Sequence, residues 1–357
     1  MTGNRIYSLD YLRGLTAIAI MAYHFSSWTF GSFEAESFLG RIGLYGVSVF
    51  YVLSGLTLFL IYHKTLQADR QSLLTFGLKR LFRILPLLWV TVAATVILNP
   101  GLFDLRLLLL SLTGLFGFLE PAGGLGTGVW SIGNELVFYA FFPVLILLLR
   151  RHASLFLGAC LGLAAVSIYF AFFVLDPQQP LAGQWTLYVN PFNQVILFVG
   201  GMLLGYFSLE QKPERNSYLW PVILLALALL AFTFYPVAGN RIALVTGGMR
   251  LVFIALSFMV CGAIYAIPLR LPAGLHGPLA LTGEISYGLY LLHPLVFTVV
   301  AGVNKFFKLG LSPVLILLLA ATASFGAAYL VFRFYEKPFI SLGKRLTVNL
   351  FITGPKK

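Results

Sequence analysis

Charge is what this 357-residue chain has least of. Asp, Glu, Lys and Arg make up 10% of it, against 59% hydrophobic residues, and the mean hydropathy is +0.91. A soluble protein of this size could not hide so much apolar surface, so a water-soluble enzyme is excluded. Cysteine is nearly absent: Cys160 and Cys261 both lie in apolar runs and suggest neither a disulfide framework nor a metal site. No GxSxG elbow, Walker A motif, zinc-ligand spacing or dinucleotide fingerprint occurs, and no serine stands beside a histidine as an obvious nucleophile. Phosphoryl transfer and metal chemistry therefore lack their usual ligands. No cleavable signal peptide is recognisable, because Asp10 and Arg13 interrupt the first apolar stretch. There is also no long polar stretch that would form a soluble domain, so any chemistry must happen in the membrane or at its surfaces.

What the chain does have is hydrophobic length. Uncharged runs such as 42–62, 84–103, 153–175, 216–240 and 309–332 are long enough to span a bilayer. Ten spans are expected, at about 9–28, 42–62, 84–100, 134–149, 153–175, 191–208, 218–236, 244–267, 280–301 and 312–335. The stretch 107–118 is short and runs into glycine-rich 122–128, so it reads as re-entrant or interfacial. The expected fold is an all-α polytopic membrane protein of about ten transmembrane helices plus that one segment. Residues 1–340 would form the membrane domain and 341–357 a basic cytoplasmic tail.

Of the 24 Lys and Arg, sixteen then fall in the inner loops and termini (Arg5, Lys64, Arg70, Lys79, Arg80, Arg83, Arg150, Arg151, Lys212, Arg215, Arg270, Lys337, Lys344, Arg345, Lys356 and Lys357) and six outside (Arg41, Arg106, Arg241, Arg250, Lys305 and Lys308), with Arg13 and Arg333 inside spans near the inner face. That bias puts both termini in the cytoplasm. It also accounts for the net charge of +12 through membrane lipid headgroups, with no call for nucleic acid. No convincing internal repeat is visible, which counts against the architecture of many transporters.

A few polar groups interrupt the apolar runs. Arg13 and His24 lie eleven residues apart in the first span. At about 100° per residue they share nearly one helical face, roughly 16 Å apart along the axis. A cation inside a membrane helix is costly, so the pair is a functional candidate; the bland reading is a snorkelling arginine and a packing histidine. Asp10 is close enough to pair with Arg13. Lys79, Arg80 and Arg83 end the second inner loop, and two guanidinium forks one turn apart suit a polyanionic phosphate ligand, although ordinary anchoring explains them too. The run Trp130-Ser131-Ile132-Gly133-Asn134-Glu135, with Phe138 and Tyr139 a turn further on, opens the fourth span. Glu135 is expected near the same face as His24, where it could orient the imidazole; a helix-terminal acid, with Asn134 or Ser131 as cap, is the bland alternative. Tyr290 and His293 precede Pro294 in mid-span, and His293 could contact substrate or satisfy the turn that the proline breaks. The small residues of 46–55 read as a helix-packing face, and His63, His152 and His276 as interfacial.

These stretches together resemble the bacterial integral-membrane O-acyltransferases of acyltransferase family three. The matching runs are Ser8–Gly14 with His24, 46–55, the Arg80-x-x-Arg83-Ile-Leu-Pro turn, Trp130–Tyr139, 286–294 and Tyr335–Phe339, in family order and across nearly the whole chain. Tyr51, Ile132 and Gly288 depart mildly from the usual Phe, Leu and Ser. The resemblance implies that Arg13 and His24 are the essential pair and that Arg80 and Arg83 engage an acyl-CoA donor from the cytoplasm. From the residues themselves, His24, Arg13 and Glu135 are the expected catalytic groups, Lys79 is expected beside the two arginines at the CoA phosphates, and Asp10, Trp130, Ser131, Tyr139, Tyr290 and His293 are expected to support the site or bind substrate. The implied reaction is acyl transfer, most simply of acetyl, to a sugar of an envelope glycan, exopolysaccharide or lipid-linked saccharide in the bacterial inner membrane. A small-molecule acceptor such as a macrolide is the alternative within that reading; a transporter or flippase of a glycolipid or sugar is the alternative to it. The chain is expected to lack the extracytoplasmic hydrolase-like domain that some members of that family carry, and so to be either a stand-alone type or one that needs a separate extracytoplasmic partner or an oligomer.

Overall fold

The computed structural model describes residues 5–209, 218–267, 269 and 271–352, with backbone alone for 349–352. Lys212, Arg215, Arg270, Lys356 and Lys357, used above for orientation, lie outside the described residues. The fold is all-helical, with no strand among the described residues. In chain order the helices are α1 (Tyr7–Phe30), α2 (Phe38–Tyr62), α3 (Arg70–Leu98), α4 (Leu105–Thr113), α5 (Phe116–Leu119), α6 (Val129–Arg151), α7 (Ala153–Tyr169), α8 (Trp185–Tyr188), α9 (Pro191–Ser208), α10 (Leu219–Phe234), α11 (Gly247–Ala266), α12 (Ala273–Glu284), α13 (Ser286–Phe306), α14 (Pro313–Val331) and α15 (Lys337–Ile352). Local chemistry sets their starts. Ser37, Asp69, Asp104 and Ser312 each accept a hydrogen bond from a backbone N–H three residues on, and Asn190 caps α9 ahead of Pro191.

Among the described residues, eight helical segments are long and apolar enough to cross a membrane. Of the ten expected spans, α1 and α10 fall outside that set, α10 because it has only 16 residues. Segment 107–118 is two short helices, α4 and α5, broken where Gly114 takes φ 75°. Where a loop was expected after 62, Asp69 caps α3 so early that Lys79, Arg80 and Arg83 are helical residues. Through a π-turn at Phe332–Glu336, α14 runs on into α15, so the expected boundary at 340/341 falls inside a helix.

The chain divides into two units. The first comprises 1–63 and 154–286, the second 64–153 and 287–357. Within the first, α2 packs along α9, and α1 lies against α2, α11 and α12. Glycines make these approaches possible: a Cβ on Gly55 would strike the Phe198 carbonyl, and one on Gly201 would strike that of Val52. Gly46 likewise admits Ile20 of α1, so the small residues of 46–55 serve as the packing face their composition suggests. Arg41 and Arg250, counted above as outer-loop charges, are instead buried helix residues. Arg41 donates to the carbonyls of Ala35, Phe232 and Tyr235 at 3.0, 2.7 and 2.7 Å. Arg250, 1% exposed, bonds Asn193 O and Gln194 Oε1 and lies over the rings of Tyr45 and Tyr188. In the second unit α3 packs on α4, α6 and α15, and Gly343 of α15 leaves room for Phe82.

Gly201→Leu should force α2 and α9 apart. Overpacking of this kind costs about 1–3 kcal/mol; thermal unfolding of purified protein in detergent should show a clearly lowered midpoint, whereas Gly158→Leu, where a Cβ meets nothing within 4 Å, should not.

Candidate active site

In the first unit the N-terminal end of α1 carries a charge cluster. Arg5 bridges Asp10 Oδ2 and Glu284 Oε1, both at 2.6 Å, and so ties α1 to the end of α12. Partial burial works against the Arg5 charge, but the bonds to Glu284 and Asp10 outweigh it and hold its pKa above the ordinary arginine value. Gly14 and Gly283 let the two helices touch, the one against Thr282 and the other against Asp10. Arg13 sits 3.8 Å from Asp10 Oδ1 and donates from Nη2 to Thr57 Oγ1 at 2.9 Å. The expected Asp10–Arg13 pair therefore exists, but Asp10 is shared and its shorter contact goes to Arg5. His276, read above as interfacial, lies 2.6 Å from the Tyr11 hydroxyl through Nδ1.

The C-terminal half of α1 carries His24. Its imidazole is half-buried and stacks on Trp28, with ring centroids 5.0 Å apart and planes 6° from parallel. Tyr23 tilts against it at 5.1 Å. Gly43 of α2 leaves the space that the Tyr23 ring fills. The Arg241 guanidinium lies 5.7 Å over the Tyr23 ring and acts electrostatically on His24. Arg241 follows α10, and nothing in its sequence context marked it.

The second unit holds the remaining candidates. Lys79 and Arg80 are half-buried on α3, and Arg83 is exposed. Arg80 lies 6.0 Å over the Tyr139 ring, and the Tyr139 hydroxyl donates to Glu135 Oε1. A cation, a ring and a carboxylate are thus joined between α3 and α6. Because α6 begins at Val129, Glu135 stands in its second turn, and neither Asn134 nor Ser131 caps it; Gly128, at φ 80°, precedes the first turn. The helix-terminal reading of Glu135 loses its basis. Ser131 Oγ donates to Gly128 O at 2.8 Å and lies 3.0 Å from the Tyr290 hydroxyl, which joins α6 to α13; Trp130 is half-buried beside it. His293, 1% exposed, has Nδ1 3.0 Å from Leu289 O, a backbone contact in the turn next to Pro294. Glu336 went unassigned at the sequence level. It is 5% exposed, its Oε1 has no hydrogen-bond partner among the described residues, and Arg83 acts on it electrostatically. A Cβ on Gly288 would stand 3.1 Å from that oxygen, so Gly288 gives the carboxylate its room. His24 and Arg13 belong to the first unit, Glu135 and the Arg80 set to the second. Among the described residues no three His, Cys, Asp or Glu side chains gather as a metal site requires.

Residues 6–333 match a family model described as an acyltransferase domain. The chain belongs to that family: it is a multi-pass membrane O-acyltransferase. Among curated proteins it is similar to the exopolysaccharide production protein ExoZ of Rhizobium meliloti, 27% identical over 328 residues that cover 88% of this chain and 94% of ExoZ. It is similar also to the O-acetyltransferase OatA of Staphylococcus aureus, 26% identical over 388 residues that cover 98% of this chain but 59% of OatA. No solved structure matches it.

Asp10→Asn removes the carboxylate shared by Arg5 and Arg13. With Glu284 and Thr57 still in place, the loss of stability should be about 1 kcal/mol, measured as a shift in thermal or denaturant midpoint, and should shrink when Arg5→Ala is already present.

Proposed function

We propose that the enzyme moves an acyl group, most simply acetyl, from cytoplasmic acyl-CoA to a hydroxyl of a cell-envelope or secreted glycan. The observation that carries the reading is His24: an imidazole held by ring stacking on the same helix as a captured arginine, in a chain of an acyltransferase family. The names of the relatives, exopolysaccharide production for one and O-acetyl transfer for the other, support a glycan acceptor and an acetyl donor. OatA extends well beyond the part this chain matches, so the acceptor is assigned only as a class of sugar hydroxyl.

In this reading His24 accepts the proton of the attacking hydroxyl, or is itself acylated first; either route passes through a tetrahedral anion. Arg13, fixed by Thr57 and Asp10 roughly 16 Å from His24 along the axis, is better placed to anchor the donor than to touch the reacting carbon. Lys79, Arg80 and Arg83 hold the phosphates of CoA, with Tyr139 and Glu135 keeping Arg80 in place. Both termini face the cytoplasm of a bacterial inner membrane. Trp130, Ser131, Tyr290 and His293 support the α6–α13 side of the site.

His24→Ala should abolish acylation while the protein still inserts and purifies normally, which mass spectrometry of envelope and secreted glycans from cells with and without the variant would read; full acylation would end the mechanism. The double variant Arg80→Ala, Arg83→Ala should raise KM for acetyl-CoA tenfold or more, as about 1.4 kcal/mol of lost binding corresponds to each factor of ten. A change confined to acceptor affinity would remove the clamp assignment.

A further inference from the structure

Acyl transfer builds negative charge on the carbonyl oxygen, and a donor fixed where that charge forms is commonly the largest single contribution to rate. Arg13 cannot be that donor without leaving Thr57 and Asp10 at the far end of the α1 face. The cation at His24's own end is Arg241. Its guanidinium rests on the Tyr23 ring at 5.7 Å, Tyr23 touches His24 at 5.1 Å, and its charge acts on the imidazole. Its buried Nε has no hydrogen-bond partner among the described residues, and no carboxylate pairs with it there.

The placement is built. Arg241 opens a short turn, Arg241–Val245, whose start is tied by Ile242 N donating to Asn240 Oδ1 at 3.1 Å. Ile242, Leu244 and Val245 are buried, the turn packs on α11, and Tyr45 of α2 donates to Leu244 O at 2.6 Å. A guanidinium is always charged and presents several donors. Here its Nε lacks a hydrogen-bond partner among the described residues, on a turn held by hydrogen bonds and buried side chains, beside the expected base.

The geometry points to Arg241 as the group that stabilises the tetrahedral oxyanion at His24, a catalytic residue for the acyl transfer; this rests on His24 acting as proposed above. As His24 takes the hydroxyl proton, the acceptor oxygen bonds to the thioester carbon and the carbonyl pair moves onto its oxygen, where Arg241 meets it. Collapse of the anion re-forms the carbonyl and breaks the C–S bond, and the proton on His24 passes to the departing CoA thiolate. The products are the ester and CoA thiol.

The test uses the full-length chain in everted membrane vesicles of the producing strain, whose own glycans serve as acceptor, and follows CoA thiol release as acetyl-CoA is varied. Rates are normalised to folded protein by fluorescence-detected size exclusion. Arg241→Gln should lower the maximal rate about 100-fold or more, with the acetyl-CoA KM changed by less than about twofold. Arg241→Lys, which keeps the charge but loses the fork, guards against misfolding and should fall by at least about tenfold. A wild-type maximal rate per folded molecule in either variant overturns the proposal, as does a raised acetyl-CoA KM at an unchanged maximal rate. His24→Ala run in parallel separates the two claims: if it is inactive while Arg241→Gln is fully active, only the oxyanion role falls; if it is active, the His24 reading beneath it falls.

Discussion

Every polar group placed inside this apolar fold must find its partner within the protein, because lipid supplies none. The first unit answers that constraint in three ways. Arg13 is held by a threonine hydroxyl and a shared carboxylate, Arg41 by three backbone carbonyls, and Arg250 by an amide, a carbonyl and two tyrosine rings. None depends on a simple one-to-one ion pair. Partners run short at several buried atoms among the described residues, Arg250 Nε and Nη1, Asn134 and Asn193 Oδ1 included, and two of them, Arg241 Nε and Glu336 Oε1, lie near the proposed reacting and binding groups.

Close helix approach is the complementary device. Gly14, Gly43, Gly46, Gly55, Gly201 and Gly283 all stand where a Cβ would meet another element. Three of them bear directly on the site: Gly14 and Gly283 bring α12 near enough for Glu284 to reach Arg5, and Gly43 gives Tyr23 the berth from which it touches both His24 and Arg241. Chemistry in this fold is therefore positioned as much by side chains that are missing as by those that are present.

The apolar runs made the helices legible, since a stretch like 42–62 has no soluble alternative, and the order of six short motifs made the family legible. Helix starts were harder to read. Asn134 and Ser131 look like caps, yet α6 begins at Val129 because a left-handed Gly128 sets the turn; Asp69 starts α3 well before the apolar run at 84. Charge location misled where burial could not be seen: Arg41 and Arg250 are indistinguishable from loop arginines until the carbonyls and rings around them are known. The Arg5–Glu284 bridge, the Thr57 contact of Arg13 and the nearness of Arg241 to His24 all join residues far apart in the chain. No periodicity encodes such pairings. Composition and spacing can name candidate groups, and only the tertiary fold can say which of them are neighbours.

The pairing of α2 with α9 also has a consequence for biosynthesis. Gly55 lies against α9, and Gly201 against α2. At about 5–20 residues per second, the roughly 150 residues between them take about 8 to 30 s to make. Through that interval α2 is already inserted with its glycine face uncovered, and α1 is the one neighbour within its own unit made early enough to shelter part of it. The first unit cannot close until the ribosome has passed its later segments, so the nascent enzyme spends its longest vulnerable moment as an incomplete helical hairpin awaiting a partner not yet translated.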